Sequence, residues 1–308
     1  MPLAPEIKAF IDAQAASGAP AVWEAPVSQL RANTQGRIAT SGPVEPIYRI
    51  ENRFIPGPTS DLPLRIYRPT NNSATPAILY FHGGGFVLNN LDFYDASLTR
   101  LANQSGMTVI AVNYQKAPEH PFPIPFDDCY STLLWVIEHA TELDINREAI
   151  GVAGDSAGAN LASAVAIKAR DNKILLAFQL LVYPCNGRDF TTDSYRDLAT
   201  GYGLTRQAME WFWDQYLQGS DHDRNPYAIP MVETNFTNVA PAVIITAEYD
   251  PLLSDGQGYA RLLTDSGVMV HYRQFDGMNH GFFTNLGVTP TARVAIDYAA
   301  ETLKGVMG

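Results

Sequence analysis

The sequence predicts an α/β fold with a mostly parallel central sheet that is covered by helices on both faces. Apolar runs of strand length alternate along the chain with longer segments of helical character, the pattern of a parallel sheet with crossover helices. Several polar residues stand directly after the apolar runs, at the strand ends where such sheets bind ligands. The 308 residues are 46% hydrophobic, which is enough for one large domain of this class.

Eight segments predict the strands of this sheet. The first two flank a Pro-Gly-Pro sequence at 56–58, which indicates a turn and therefore an antiparallel start. The strands are predicted at 44–55, 62–69, 76–81, 108–113, 149–154, 176–183, 241–247 and 268–275. The helices that alternate with them are predicted at 94–105, 127–140, 157–170, 253–266 and 291–304.

Two segments fall outside this alternation, and we predict that they form a cap over the rest of the single domain 1–308. Apolar residues recur in both at helical spacing: Leu3, Ile7, Phe10, Ile11 and Ala15 in the first, and Met209, Phe212, Trp213, Tyr216 and Leu217 in the second. The cap is defined as about 1–43 and 186–235, above a body of 44–185 and 236–308. Such an apolar stripe has two interpretations: its side chains pack the cap on the body, or they line a pocket.

Charge and composition exclude several function classes. The net charge is −11 and the chain has no basic cluster, so we expect no nucleic-acid partner. Its two cysteines, Cys129 and Cys185, provide neither a disulfide framework nor a metal-binding spacing, and we expect both to be reduced and buried.

The pattern of apolar residues gives no sign of targeting to a membrane or of secretion. The N-terminal residues lack a basic region followed by an apolar one, as a secretory signal would require. No apolar run reaches the roughly 20 residues that span a bilayer. We therefore expect a soluble, cytoplasmic protein with no membrane partner.

The most informative motif is Gly-Asp-Ser-Ala-Gly at 154–158, a G-x-S-x-G pentapeptide between a predicted strand and a predicted helix. A sharp turn at this position lifts the hydroxyl of Ser156 above the sheet edge, with a helix N-terminus behind it. The flanking glycines avoid collisions of a Cβ atom with the neighbouring strand or helix. The alternative interpretation is an ordinary glycine-rich turn between a strand and a helix.

A second glycine-rich motif, His-Gly-Gly-Gly-Phe at 82–86, follows the strand predicted at 76–81. Consecutive glycines allow backbone N–H groups to approach a ligand, and such donors stabilise the oxyanion of a tetrahedral intermediate by about 3–4 kcal/mol each. We predict Gly84, Gly85 and Ala157 as these donors. Gly83 and His82 are expected to shape the loop, since the place of His82 in the chain does not suit proton transfer.

An acid and a histidine complete the set. Asp250 and His280 each follow a predicted strand, and the chain order Ser156, Asp250, His280 is that of α/β hydrolases. His280 would act as general base for Ser156, and Asp250 would fix its tautomer. Glu248 is a rival for the acid, because alternation places it on the same side of an extended segment. We favour Asp250 for its position beyond the strand end.

With these motifs the sequence resembles the hormone-sensitive-lipase-like carboxylesterases, the bacterial family IV esterases. The resemblance rests on residues 82–85, 154–158, 250–252 and 280–282, with support from 113–123 and 225–230, and it covers about residues 40–285. It implies a capped α/β-hydrolase fold and hydrolysis of short- to medium-chain acyl esters through an acyl-enzyme. It also implies that neither a metal nor an organic cofactor is needed, and family members often form homodimers through an edge strand.

The chain departs from the family pattern at two places. It has Leu253-Ser254-Asp255 where relatives often carry Asp-Glu, and Gln115-Lys116 where relatives often read Arg-Leu. The first departure bears on the setting of Asp250, and the second lies near the sheet.

Two alternatives to a carboxylesterase stay open. A deacetylase, a lactonase or an amidase would use the same machinery, which the sequence does not separate. A ligand-binding relative without catalysis, like the plant gibberellin receptors that resemble this family, is disfavoured because such proteins lack the histidine that this chain has as His280. For the pocket around the small-molecule ester we predict aromatic walls, drawn from Phe86, Tyr202, Trp211, Phe212, Trp213 and Phe282.

Overall fold

The computed structural model describes residues 2–219 and 221–308. In these residues one eight-stranded sheet has the strand order β1-β2-β4-β3-β5-β6-β7-β8. The strands are β1 (Arg49–Pro56), β2 (Asp61–Arg68), β3 (Thr75–Phe81), β4 (Thr108–Val112), β5 (Ile145–Asp155), β6 (Gln179–Val182), β7 (Ala242–Tyr249) and β8 (Val270–Asn279).

The pairing of the strands confirms the predicted α/β class. β2 is antiparallel to β1 and to β4, so the chain starts with the antiparallel ribbon that the turn at 56–58 indicated. From β4 to β8 all neighbouring strands are parallel. The carboxyl ends of β3, β5, β7 and β8 therefore meet at one edge of the sheet.

Nine α-helices are present in residues 2–219 and 221–308. They are α1 (Pro5–Ala16), α2 (Val27–Gly36), α3 (Asp95–Ser105), α4 (Ile124–Glu138), α5 (Ala157–Asp171), α6 (Asp193–Asp197), α7 (Arg206–Leu217), α8 (Leu253–Asp265) and α9 (Thr291–Met307). The sequence did not predict α2 or α6. α2 buries only Leu30 and Thr34, so it has no apolar stripe to reveal it, and α6 has five residues.

The sheet separates two apolar cores. Ile78 and Tyr80 point into one core and Leu79 and Phe81 into the other, because successive side chains of a strand face opposite sides. α5 lies deepest: most of its side chains are buried, and many of them are alanines that let it approach β5 and β3 closely. Cys129 and Cys185 are free, buried thiols in the same core as α5.

The segments predicted as a cap contact the body at several points. The backbone N–H of Ala4 donates to the carbonyl of Gly277 over 3.0 Å, which holds α1 against β8. The hydroxyl of Ser194 in α6 donates to the carbonyl of Pro251 over 2.6 Å. The ring of Tyr216 in α7 stacks on Phe86 at 3.7 Å between centroids. That these segments act as a cap stays a prediction, as do the homodimer and the cytoplasmic location.

Within the part of the chain that the structure describes, no helix combines the length and apolar character needed to cross a membrane.

Residues 82–86 form the glycine loop. Arg31 links α2 to the segment that follows this loop. Its guanidinium donates to the carbonyls of Val87 and Ala117, each over 2.9 Å, and forms a bidentate pair with Glu119 at 2.8 and 2.7 Å. The side chain is 32% exposed, whereas that of Arg196, which pairs with two aspartates, is 63% exposed.

We expect Arg31→Met to lower the free energy of unfolding by about 2 kcal/mol, because it leaves two carbonyls of a buried segment without a charged donor. The control Arg196→Met removes only two exposed ion pairs and should change the same quantity much less. Urea denaturation of both variants measures the difference. Equal effects of the two substitutions would contradict the linking role of Arg31.

Candidate active site

Ser156 occupies the turn between β5 and α5. Its φ of 54° and ψ of −122° lie in a region that residues other than glycine rarely adopt. The backbone N–H of Ser156 donates to the carbonyl of Val182 at the end of β6, over 2.8 Å. This contact fixes the turn and leaves the side chain at the carboxyl edge of the sheet.

The two glycines of the pentapeptide are required by close approach of the backbone. A Cβ on Gly154 would lie 2.3 Å from the carbonyl carbon and oxygen of Gly158, and one on Gly158 would lie 2.0 Å from the carbonyl oxygen of Phe81. Both distances are far inside van der Waals contact with backbone atoms that cannot rotate away. The predicted reason for these glycines therefore matches the geometry.

Ser156, His280 and Asp250 form a continuous chain of hydrogen bonds. The distance from Nε2 of His280 to Oγ of Ser156 is 2.9 Å, and that from Nδ1 of His280 to Oδ2 of Asp250 is 2.7 Å. Asp250 is fully buried, and its Oδ1 accepts the backbone N–H of Leu252 over 2.9 Å. Since a carboxylate only accepts, Nδ1 carries the proton, and Nε2 of the neutral ring is free to accept from the serine hydroxyl.

Glu248, the rival acid, does not contact His280. Its Oε2 accepts the backbone N–H of Gly277 over 2.6 Å, a bond that joins the ends of β7 and β8. Of the two carboxylates, only Asp250 therefore reaches the imidazole.

The glycine loop follows β3 and turns toward Ser156. Gly84, Gly85 and Phe86 have positive φ angles of 116°, 60° and 63°. A Cβ on Gly85 would lie 2.2 Å from the ring of Phe212, so α7 packs directly on the loop. Gly84 and Gly85 line the same cavity as Ser156 and His280. The N–H of Ala157 belongs to the first turn of α5, where backbone donors have no partner within the helix.

A cavity of about 250 Å³ opens above these residues. Of the six aromatic residues predicted for its wall, only Phe212 lines it. Phe86, Trp213 and Phe282 are fully buried and pack against other rings. Trp213 is buried because the apolar stripe on α7 mostly faces the body. Tyr202 packs on Tyr249 and Trp211 packs on the edge of Phe212, and both lie outside the lining.

Most residues of the cavity wall were not predicted from the sequence. Its lining includes Phe10, Gln14, Val22, Arg37, Leu88, Phe93, Leu204, Met209, Thr284 and Asn285. The helical stripes contained Phe10 and Met209 and so gave a signal for both. Arg37, Phe93 and Asn285 carried no motif, and their positions depend on the paths of loops.

Comparisons with known proteins agree with this geometry. A family model described as the alpha/beta hydrolase fold matches residues 78–284, more than half of the chain. The chain belongs to the α/β-hydrolase family. The resemblance to hormone-sensitive-lipase-like carboxylesterases and the predicted enzyme class are confirmed by the relatives that follow.

Two relatives and one solved structure illustrate the similarity. An arylesterase of Saccharolobus solfataricus is 31% identical over 99% of both chains. The carboxylic ester hydrolase LipN of Mycobacterium tuberculosis is 36% identical over 74% of this chain, which spans only 62% of the length of LipN. An ester hydrolase from the Lake Arreo metagenome, in complex with a bipyridine phosphonate derivative, superposes with a TM-score of 0.95 at 32% identity and covers 98% of both chains.

In this α/β hydrolase, His82 holds the glycine loop from behind. Its Nδ1 lies 2.8 Å from the carbonyl of Gly83 and its ring stacks on Tyr114 at 4.4 Å between centroids. Burial, aided by the charge of Lys116, lowers the pKa of His82 to about 3, so the ring is neutral and Nδ1 donates to the carbonyl. These contacts fit the predicted role in shaping the loop.

Asp155 supports the loop from the strand side. Its carboxylate accepts the hydroxyl of Tyr80 at 2.9 Å, the N–H of Gly83 at 2.9 Å and the hydroxyl of Tyr94 at 3.1 Å. These bonds favour the anion, but burial outweighs them and raises the pKa of Asp155 to about 6.

A raised pKa in the folded state has a defined consequence for stability. The unfolded chain releases this proton near its ordinary pKa of 3.8, and the folded protein releases it near 6. Asp155 therefore contributes stability below pH 4, and this contribution is lost as the pH rises through 6.

As the pH rises from 4 to 6, the parent loses stability through Asp155, whereas an asparagine does not titrate. We therefore expect the free energy of unfolding of Asp155→Asn to increase by about 2–3 kcal/mol relative to that of the parent over this interval. Above pH 6 the difference between the two proteins should stay constant, because Asp155 is then ionised in both the folded and the unfolded parent. Urea denaturation of both proteins at several pH values measures it, and titrating groups that do not interact with Asp155 cancel in the comparison. A difference that moves the other way would mean that the three hydrogen bonds outweigh burial.

Proposed function

We propose that this protein is a serine carboxylesterase that hydrolyses short- to medium-chain acyl esters through an acyl-enzyme intermediate. The observation that carries the proposal is the hydrogen-bonded chain Ser156–His280–Asp250 beside the glycine loop. The names of the relatives, which are carboxylesterases and other esterases, support the same class of substrate.

In the first half of the reaction, Oγ of Ser156 attacks the carbonyl carbon of the ester and its proton passes to Nε2 of His280. The carbonyl oxygen becomes an oxyanion, and the N–H groups of Gly84, Gly85 and Ala157 are the proposed donors that stabilise it. Asp250 stabilises the imidazolium from the opposite side of the ring. The bond between carbon and the alcohol oxygen then breaks, and His280 returns the proton to the leaving alcohol.

In the second half, water attacks the acyl-enzyme. His280 takes a proton from the water, a second oxyanion forms in the same place, and the bond to Oγ of Ser156 breaks as the serine regains its proton. The carboxylic acid leaves and the hydrogen-bonded chain is restored. Each step uses side chains whose contacts are already formed in the structure, so little reorganisation is needed.

The size and walls of the cavity support small acyl groups. About 250 Å³ is below the roughly 300–1,000 Å³ typical of pockets for drug-sized ligands. Leu204, Met209 and Phe212 provide an apolar wall for an alkyl chain. Phe10 of α1 and Met209 of α7 both line the cavity, which supports the proposal that 1–43 and 186–235 form its cap.

Removal of the nucleophile tests the proposal directly. We expect Ser156→Ala to abolish hydrolysis of 4-nitrophenyl butyrate and labelling by a serine-directed phosphonate, because among residues 2–219 and 221–308 no other hydroxyl is hydrogen-bonded to His280. Circular dichroism should show that the variant is folded. Phosphonate labelling at another residue would contradict the assignment.

The choice of acid is tested by a matched pair. Asp250→Asn should lower kcat by about 10⁴-fold, since an amide cannot hold the required tautomer. Glu248→Gln changes a carboxylate that contacts Gly277 instead, and should stay within about tenfold of the parent. A larger loss for Glu248→Gln than for Asp250→Asn would reverse the assignment.

Acyl length tests the role of the cavity. Each methylene buried against the wall contributes about 0.8 kcal/mol until the cavity is full, so kcat/KM should rise to medium chains and fall by tenfold or more for decanoate and palmitate esters. Initial rates on a series of 4-nitrophenyl esters measure this profile. Sustained rates on emulsified long-chain lipids would contradict the proposed substrate range.

Variants at two methionines provide the control for acyl length. Met209 lines the cavity, so Met209→Ala should move the optimum to longer chains. Met231 packs instead near Gly187 and Gly258, and Met231→Ala should leave the optimum unchanged.

A further inference from the structure

One cationic side chain in the cavity wall has no part in the reaction described above. Arg37 follows α2 and lines the cavity together with Ser156 and His280. Its guanidinium carbon lies 5.9 Å from the ring centroid of Phe93, which also lines the cavity. At this distance the face of the ring attracts the cation without using any of its N–H donors.

Arg37 is not held by a carboxylate. Within residues 2–219 and 221–308, no carboxylate oxygen lies within 4.0 Å of its guanidinium nitrogens. Arg31, six residues earlier in the chain, is by contrast paired with the carboxylate of Glu119. An arginine that lines a cavity without such a partner has donors left for a ligand.

The acid in the same wall does not form an ion pair with Arg37. Asp155 lines the cavity, but both of its oxygens already accept hydrogen bonds from Tyr80, Gly83 and Tyr94. Arg37 is exposed to solvent, although desolvation by the residues around it lowers its pKa from 12.5. The arginine keeps its charge, and its exposure leaves it accessible to an anion that enters the cavity.

We propose that Arg37 binds a carboxylate carried by the substrate, so that the preferred substrates are esters with a free carboxylate on the acyl or the alcohol part. This inference rests on the proposed esterase function and names the substrate class of the same cavity. A carboxylate fits the fork of guanidinium N–H groups in a bidentate manner, with Phe93 beneath the cation.

The net charge of −11 opposes the approach of any anion, so the two effects must be compared. Surface charges are screened beyond about 8–10 Å at physiological salt. The pair between Arg37 and a carboxylate is formed at contact, at a distance well inside this screening length. The local pair therefore decides affinity, and the net charge slows only the encounter.

Two matched pairs of esters test the proposal. The first compares methyl hexanoate with monomethyl adipate, in which a carboxylate replaces the terminal methyl group of the acyl chain. The second compares phenyl acetate with 4-carboxyphenyl acetate, which carries the carboxylate on the alcohol part. Rates followed by pH-stat at constant ionic strength give kcat and KM for each ester.

We expect Arg37→Met to raise KM at least about tenfold for the anionic member of one pair, with kcat little changed, because this contact is equal in ground and transition states. The neutral members should stay within about twofold. Arg37→Lys should recover part of the loss, since it restores the charge without the planar fork. Arg147→Met removes an exposed arginine near the start of β5 and should change neither pair.

The outcomes separate this inference from the proposed function. If Arg37→Met changes both members of each pair equally, or changes neither, Arg37 does not bind a substrate carboxylate, while turnover of the neutral esters still supports an esterase. If the parent hydrolyses none of the four esters, the esterase proposal fails. Binding of monomethyl adipate to Ser156→Ala, with and without Arg37→Met, then still tests Arg37 by calorimetry: a tenfold difference in Kd supports it and equal Kd values overturn it.

Discussion

The close contact of α5 with the end of β3 is the constraint on which the site depends. Gly158 lies so near the carbonyl of Phe81 that even a Cβ atom would come within 2.0 Å of it. Phe81 is the last residue of β3, and the glycine loop begins at the next residue. The distance between the helix and this strand therefore also sets the distance between Ser156 and the backbone donors of the loop, before any side chain of the loop is considered.

The sequence predicts those parts of the molecule that a local rule dictates. Strand alternation and the motifs around Ser156, Asp250 and His280 give the sheet and the chain of hydrogen bonds, because each motif stands at a strand end. The cavity wall follows no such rule. On α7 a single stripe contains Phe212, which lines the cavity, and Trp213, which is buried, and periodicity alone does not separate them.

The departures from the family pattern have physical counterparts. The carboxylate of Asp128 accepts the backbone N–H of Gln115 over 2.8 Å, with the side-chain amide of Gln115 3.3 Å away. Lys116 donates to Oδ1 of Asn113 over 2.7 Å, and burial lowers its pKa to about 8. Asp255 is buried and accepts the N–H of Gly187 over 3.1 Å, beside the loop that carries Asp250. Each of these residues that differ from the family pattern therefore has a hydrogen-bond partner.

Two features of the turn at Ser156 are energetically unfavourable. The serine holds a positive φ, and Asp155 is ionised at neutral pH only against the effect of burial. Both residues belong to the same turn, and both are held by contacts to other strands: Ser156 through Val182, and Asp155 through Tyr80 and Gly83. The rigidity of the parallel sheet is thus what stabilises a strained turn, and the hydrogen bonds that Asp155 accepts also fix the glycine loop, which we propose to face the developing oxyanion.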